Sequence, residues 1–183
     1  MLKVRSITTK VGDRGKTRLF SGEEVYKNSS RPSAYGDLDE LVSVLGVARC
    51  SARRKDVRNA LLGLQRELFV VASELATTAR HRAALEKRVD AAMLAKMEQR
   101  RSTLERRIRM PAGFIIPGAT PAGAHIDHAR AVARRCERHV VALSRRRIVN
   151  NRHLLVWMNR LSDYLWLLAR REEGRSIPLK GRA

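Results

Sequence analysis

Arg130, Arg134 and Glu137 stand at i, i+4 and i+7. A helix of 3.6 residues per turn therefore lines two guanidiniums and a carboxylate along one stripe. Asn159 and Asp163 form a second polar pair at i and i+4, inside a segment that is otherwise apolar. Planar guanidiniums on a helical wall suit the gripping of a polyphosphate, because each fork donates paired hydrogen bonds to phosphate oxygens. The same residues also suit an inter-helix salt-bridge network, since a buried charge deprived of its partner costs about 3–5 kcal/mol. A second chemistry-bearing stretch lies at Thr8–Gly22, where three glycines and four cations fall within 15 residues. Thr8, Thr9, Lys10, Gly12, Asp13, Gly15, Lys16 and Thr17 are its candidate ligands. Such a loop turns sharply and presents backbone N–H groups to an anion, with lysine and arginine supplying charge. It is not a Walker A loop, because GxxxxGK[ST] is absent, and by itself it also fits a solvated turn.

No Ser/His/Asp, Cys/His or paired-carboxylate arrangement suggests a protein nucleophile. His125 and His128 flank Asp127 at i and i+3, but a zinc site needs a third or fourth ligand and none is near in sequence. His125 is assigned to a helix surface. Cys50 and Cys136 have no metal-ligand spacing and are expected to be reduced and structural, as in a cytosolic chain.

Five helices must position these groups. The first is expected from Arg31 to about Arg53, with Leu38, Leu41, Leu45 and Ala48 on one face. The second, about 55–79, carries Val57, Leu61, Leu64, Leu68, Val71 and Leu75 at 4-3-4-3-4 spacing, the seam of a helix bundle. A polar stretch leads to the third, about 90–109, marked by Met93, Met97, Leu104 and Ile108. Pro111, Gly113, Pro117 and Gly118 interrupt the chain before the arginine helix, about 121–147. The fifth, about 151–173, repeats the seam with Leu154, Met158, Leu161, Leu165 and Leu168. Trp157 and Trp166 read as core or interface packing. Short connections between such helices give an all-α, antiparallel five-helix bundle.

The 183 residues fit a single domain, with aromatics at only 4%. The loop is expected over about 8–31, the bundle over about 31–173 and a flexible tail over about 174–183. No apolar run approaches the roughly 18 residues of a membrane span, and no apolar leader precedes the loop. The net charge of +20 rests on thirty arginines and eight lysines. Such a balance favours polyanions in general. Yet Arg53-Arg54, Arg100-Arg101, Arg106-Arg107, Arg145-Arg146-Arg147 and Arg170-Arg171 are scattered over expected helix ends and solvent faces, without aromatics for base stacking. A solvated surface of the thermophilic kind is expected rather than a nucleic-acid partner.

Four blocks carry a family resemblance: TTKVGDRGKT (8–17), RPSAYGDLDEL (31–41), FIIPGATPAGAHIDHARAVARRCERHVVAL (114–143) and NRLSDYLWLLAR (159–170). In this order the chain resembles the PduO-type ATP:cob(I)alamin adenosyltransferases, which move the 5′-deoxyadenosyl group of ATP onto the cobalt of reduced cobalamin. The resemblance implies that the Thr8–Thr17 loop wraps the triphosphate and its Mg²⁺, with Lys27 and Arg31 near the same nucleotide. It implies that Arg134 and Asn159 contact ATP and that Glu137 holds the local polar network or the metal. Arg130 would pair with Asp39 across a subunit boundary, since the family is homotrimeric with sites between neighbours. Phe114 would sit under the corrin and displace its lower axial ligand, and His128 would line the pocket. Arg130, Arg134, Phe114 and Asp39 are thus the implied catalytic set. Cobalt is the nucleophile, so the protein supplies orientation and electrostatics. The resemblance further implies a cytoplasmic enzyme fed by a reductase and serving an adenosylcobalamin-dependent enzyme.

The chain departs from the family pattern at Val11, Lys16, Ser21, Glu24, Val42 and Ala119. Those departures favour an alternative, a non-catalytic ATP- or cobalamin-binding regulator or delivery module with some nucleic-acid affinity. The arginines, Phe114 and Asn159 favour the enzyme.

Overall fold

The structure is a computed structural model that describes residues 8, 10 and 12–180. Thr9 and Val11 of the expected loop lie outside the described residues. Two short strands, β1 (Lys16–Arg18) and β2 (Glu24–Tyr26), form an antiparallel hairpin in the register Lys16↔Tyr26, Thr17↔Val25, Arg18↔Glu24. Five helices follow: α1 (Ser30–Ser51), α2 (Lys55–Leu75), α3 (Ala91–Glu105), α4 (Pro121–Arg145) and α5 (Arg152–Glu173). A single 3₁₀ segment, Ala79–Ala84, links α2 to α3, and two-residue strands β3 (Ile115–Ile116) and β4 (Ile177–Pro178) pair antiparallel.

The apolar seams meet in one core. Leu38, Leu41 and Leu45 of α1, the Val57–Leu75 stripe of α2 and Leu154, Met158, Leu161 and Leu165 of α5 are all buried to 1% exposure or less. Each such side chain contributes about 1.5–3 kcal/mol of burial, which outweighs the weak intrinsic preference of any one helix. Trp157 is fully buried among them. α1 and α2 are antiparallel, as are α4 and α5, whereas α3 runs alongside α5 in the same direction. Glu98 bonds Arg160, and one helical turn or two further on Leu104 and Leu168 share a cleft.

Local chemistry sets the helix ends. Thr120 caps α4 by accepting from the Gly123 amide at 3.0 Å, with Pro121 at the first helical position. Asn151 caps α5 by accepting from the His153 and Leu154 amides, while its Nδ2 donates to Glu74 Oε1 and the Val89 carbonyl, both at 2.8 Å. α4 closes with Arg147 in the left-handed region (φ 56°), where Ile148 N donates to Leu143 O and Arg147 N to Ser144 O. That is the Schellman pattern without its usual glycine.

Three expectations are corrected. α2 stops at Leu75 rather than near residue 79, because the Ala76 carbonyl accepts from Phe20 N at 3.0 Å and the Thr78 amide donates to Ser21 Oγ at 3.2 Å. α3 stops at Glu105 rather than near 109, where the chain tightens into a turn from Arg107 N to Leu104 O. The stretch after Glu173, expected as a flexible tail, carries β4, and Leu179 N donates to the Phe114 carbonyl at 2.9 Å. The last strand thus ties down the loop that holds Phe114.

Candidate functional site

The approach to α4 is built by the β3–β4 pairing and by Glu173, whose Oε1 accepts from the Ala119 amide at 3.1 Å. Gly123 makes this possible, because a Cβ there would lie 2.5 Å from the Glu173 side chain. On this support Phe114 stands 86% exposed. An aromatic ring held in water on a braced loop is positioned for something to cover it. Beneath it lies a cleft of about 350 Å³ lined by Phe114, Pro117, Asp127, Arg130, Trp166 and Arg170.

A chain of ion pairs forms the cleft floor. Arg130 Nε donates to Asp127 Oδ1 at 3.0 Å, Arg170 Nη2 to Asp127 Oδ2 at 2.5 Å, and Arg170 Nε to Glu173 Oε2 at 2.9 Å. Arg170 also lies 5.3 Å from the centre of the Trp166 ring, within cation–π range. Its side chain is only 2% exposed, so the expectation that the Arg170-Arg171 pair faces solvent is wrong for Arg170. Its remaining nitrogen, Nη1, is buried with no acceptor among the described residues.

One and two turns further along α4 the wall opens to solvent. Arg134 is exposed, and among the described residues its guanidinium has no acceptor. Glu137 Oε1 accepts from Asn159 Nδ2 at 3.0 Å, and Asn159 Oδ1 accepts from Arg160 Nη1 at 2.8 Å. The stripe read from the sequence is therefore real, and it continues across to α5 through Asn159. His128 is exposed on the same helix. Asp39 does not meet Arg130 within the chain. It is exposed on α1, while Arg130 is held by Asp127.

The N-terminal loop forms a separate patch. Asp13 N donates to Lys10 O and Gly15 N to Gly12 O, with Lys10 (φ 58°) and Gly15 (φ 73°) in the left-handed region. Lys27 closes over this turn: its amide donates to Gly15 O at 2.9 Å, and a Cβ on Gly12 would lie 2.7 Å from its Nζ. Lys27, Gly12 and Gly15 are thus brought together, and Asp13 is exposed beside them. Lys16 is not: its ammonium pairs with Glu24 at 2.9 Å and lies over the Tyr26 ring. Thr17 pairs with Val25 in the hairpin. Arg31 Nη1 donates to the Leu75 carbonyl at 2.5 Å and Nη2 to the Ile148 carbonyl at 2.9 Å, so it fastens three helix ends, and burial pulls its pKa below the ordinary arginine value. Glu23 anchors the hairpin; hydrogen bonds from Ser21 and Thr78 lower its carboxyl pKa to about 2.

These two patches lie at opposite ends of α4. The hairpin sits against the end of α2, which Arg31 ties to Ile148 beyond the end of α4, whereas Phe114 and Glu173 lie at the start of α4. At 1.5 Å per residue that helix is roughly 37 Å long. Sequence reasoning missed Asp127, Arg170 and Glu173. The i, i+3 spacings of Asp127–Arg130 and Arg170–Glu173 were visible, but the link between the helices was not. Among the described residues no three His, Cys, Asp or Glu side chains converge on a metal position.

Fold and site together define a helical bundle with an arginine-bearing α4–α5 wall and an exposed phenylalanine over a cleft. A family model described as cobalamin adenosyltransferase matches residues 7–172. A corrinoid adenosyltransferase PduO of Citrobacter freundii is 37% identical over 92% of this chain, which spans about half the length of that relative. A shorter corrinoid adenosyltransferase of the same organism is 36% identical over 91% of this chain and 94% of its own length. Among solved structures, a phenylalanine-to-histidine variant of a PduO-type ATP:corrinoid adenosyltransferase from Lactobacillus reuteri, complexed with cobalamin and ATP, superposes with a TM-score of 0.88 at 30% identity, covering 96% of this chain and 97% of that one. An arginine-to-lysine variant from the same source, complexed with ATP, gives 0.86 at 31% identity, with 96% and 100% covered. The chain belongs to the cobalamin adenosyltransferase family.

Proposed function

We propose that this protein transfers the 5′-deoxyadenosyl group of ATP to cob(I)alamin, forming a cobalt–carbon bond at C5′, breaking the C5′–oxygen bond and releasing triphosphate. The observation that carries the reading is the α4–α5 wall, where the unpaired Arg134 adjoins the Glu137–Asn159 pair and the cleft below Phe114. The residues substituted in the two Lactobacillus reuteri structures, a phenylalanine and an arginine, stand as far apart in that chain as Phe114 and Arg134 do here.

Cobalt supplies the electron pair, so no side chain has to act as nucleophile. Arg134 and Arg130 would meet the negative charge that builds on the departing triphosphate, which preorganised cations stabilise without reorganisation. Lys27 and the Lys10–Gly15 turn would hold the far phosphates. Phe114 would cover the lower face of the corrin and keep an axial base away, which favours the nucleophilic Co(I) state. Magnesium would arrive on the phosphates, since Mg²⁺ typically keeps several waters and takes only one or two carboxylates. Glu137 is the carboxylate placed to assist it.

The separation of loop and cleft along α4 supports an assembly in which the loop of one copy serves the wall of another, with Asp39 then free to reach a neighbour's Arg130. We take this to be a homotrimer. ATP and a reduced corrinoid meet in the cytoplasm, where we place the enzyme, downstream of a reductase and upstream of an enzyme that consumes adenosylcobalamin. The test follows the absorbance change as chemically reduced cobalamin and Mg-ATP are converted. Wild-type turnover, with Arg134→Ala slower by about a hundredfold or more at unchanged helicity, is the expected result. A folded wild type that forms no adenosylcobalamin would sink the reading.

A further inference from the structure

We propose that a second cleft, between α2, α3 and α5, is a binding site for a small organic carboxylate. It encloses about 260 Å³, enough for a ring-sized ligand, and lies on the side of α5 opposite Trp166 and Arg170. Nothing in it belongs to the loop, the Arg134 stripe or the Phe114 cleft, so the proposal stands independently of the adenosyltransferase reading.

The floor is apolar, with Val57 and Leu168 buried to 2% exposure or less and Leu104 alongside. Most of the charged groups around it are spent on one another. Arg100 is engaged by both oxygens of Glu67 at 2.8 and 3.0 Å, and Arg171 by Asp56 at 3.0 Å. That leaves Arg107, exposed at the rim, with no side-chain acceptor among the described residues.

Tyr164 is the second observation. It is only 5% exposed and lines this cleft, yet its hydroxyl forms no hydrogen bond among the described residues. The ring is buried but the hydroxyl is not sealed from solvent, so it is free to donate to a ligand seated in the cleft. Burial also raises its pKa, so the phenol stays a proton donor at neutral pH.

A free hydroxyl donor in the cleft, one uncompensated guanidinium at the rim and an apolar floor between them fit a ligand with a single negative charge and a compact hydrocarbon body. A carboxylate meets a guanidinium in bidentate geometry. A doubly charged phosphate would be held back by Asp56 and Glu67, which already balance two of the three arginines.

The experiment is a ligand-observed NMR titration of the full chain with sodium benzoate, alongside benzyl alcohol and inorganic phosphate as probes. Saturable benzoate binding is expected, with benzyl alcohol failing to bind and phosphate failing to displace benzoate. Arg107→Ala should weaken benzoate binding about tenfold and Tyr164→Phe roughly threefold to tenfold, the scale of one ordinary hydrogen bond at a solvent-open site. Arg134→Ala should leave it unchanged, which separates this cleft from the triphosphate wall. Lack of saturation, equal binding by Arg107→Ala, or displacement by phosphate at comparable concentration would each overturn the assignment. Circular dichroism checks that both variants fold. Arg107 is exposed, so its variant alone decides the matter if Tyr164→Phe is destabilised.

Discussion

Asp127 and Arg170, 43 residues apart in the chain, meet as a buried ion pair at 2.5 Å with both side chains at 5% exposure or less. The pair fastens the start of α4 to the end of α5, and through Arg130 and Glu173 it reaches both the arginine stripe and the Phe114 loop. Replacing Asp127 by alanine leaves Arg170 Nη2 without its acceptor in the interior while Glu173 still holds Nε, and a loss of about 1–3 kcal/mol is expected. The double change Asp127→Leu with Arg170→Met should not recover that loss, because the buried Glu173 carboxylate then loses its ion pair. Urea denaturation of the wild type, Asp127→Leu, Arg170→Met and the double variant measures the coupling. A single-variant loss below about 1 kcal/mol would show that water already reaches the pair.

Arg31 gives a different expectation. Its two hydrogen bonds go to main-chain carbonyls at the ends of α2 and α4, not to a ligand, so Arg31→Met should be chiefly a stability variant. Removing two charge-assisted bonds from a half-buried site costs about 1.5–3 kcal/mol. For a chain of this length that lowers Tm by about 2–4 °C per kcal/mol. If Tm is unchanged but the affinity for ATP falls, the residue belongs to the nucleotide after all.

The hairpin should loosen in acid. Glu23 has its pKa lowered from 4.5 to about 2, first by Ser21 and then by Thr78. A depressed carboxyl favours the folded state fully above its unfolded pKa, and the contribution fades as pH falls from about 4.5 toward 2. The Phe20 and Thr78 amides, bonded to Ala76 O and Ser21 Oγ, should lose protection from exchange across that window by NMR. Glu23→Gln should flatten the profile. Protection that holds steady down to pH ~2.5 would contradict the coupling of Glu23 to the hairpin.

The thiols should behave unequally. Cys136 is fully buried, its Sγ donates to the Asp37 carbonyl at 3.2 Å, and burial pushes its pKa up to about 12. Cys50, expected from sequence to be structural, is exposed. A chromogenic disulfide reagent should therefore titrate one thiol in the native protein and a second only in denaturant. Equal rates for both would refute the burial of Cys136.

Periodicity made the helices legible because it is local: the 4-3-4 stripes of α2 and α5 foretold which faces are buried, residue by residue. Boundaries were less readable where a distant group captures a carbonyl, as Phe20 does at Ala76. Within the site, the i, i+4, i+7 stripe and the glycine- and lysine-rich loop around Gly12 came from spacing and composition, whereas Lys27 came only from the family resemblance. Arg31 was expected beside the nucleotide and Arg170 on a solvent face, because nothing local marks an arginine whose acceptors lie on other helices. Lys16 and Glu24, each a departure from the family pattern, turned out to neutralise one another. Such compensation is visible only once the hairpin is folded.

The distance along α4 between the Lys27-covered turn and the Arg134 wall has a genetic consequence under the proposed assembly. Two inactive chains, one damaged in the turn (Lys27→Ala, which removes the ammonium that covers it) and one damaged at Arg134, carry lesions in different halves of each site. Co-expressed, they should complement, since a mixed oligomer pairs an intact turn with a neighbour's intact arginine. A chain carrying both lesions should rescue nothing.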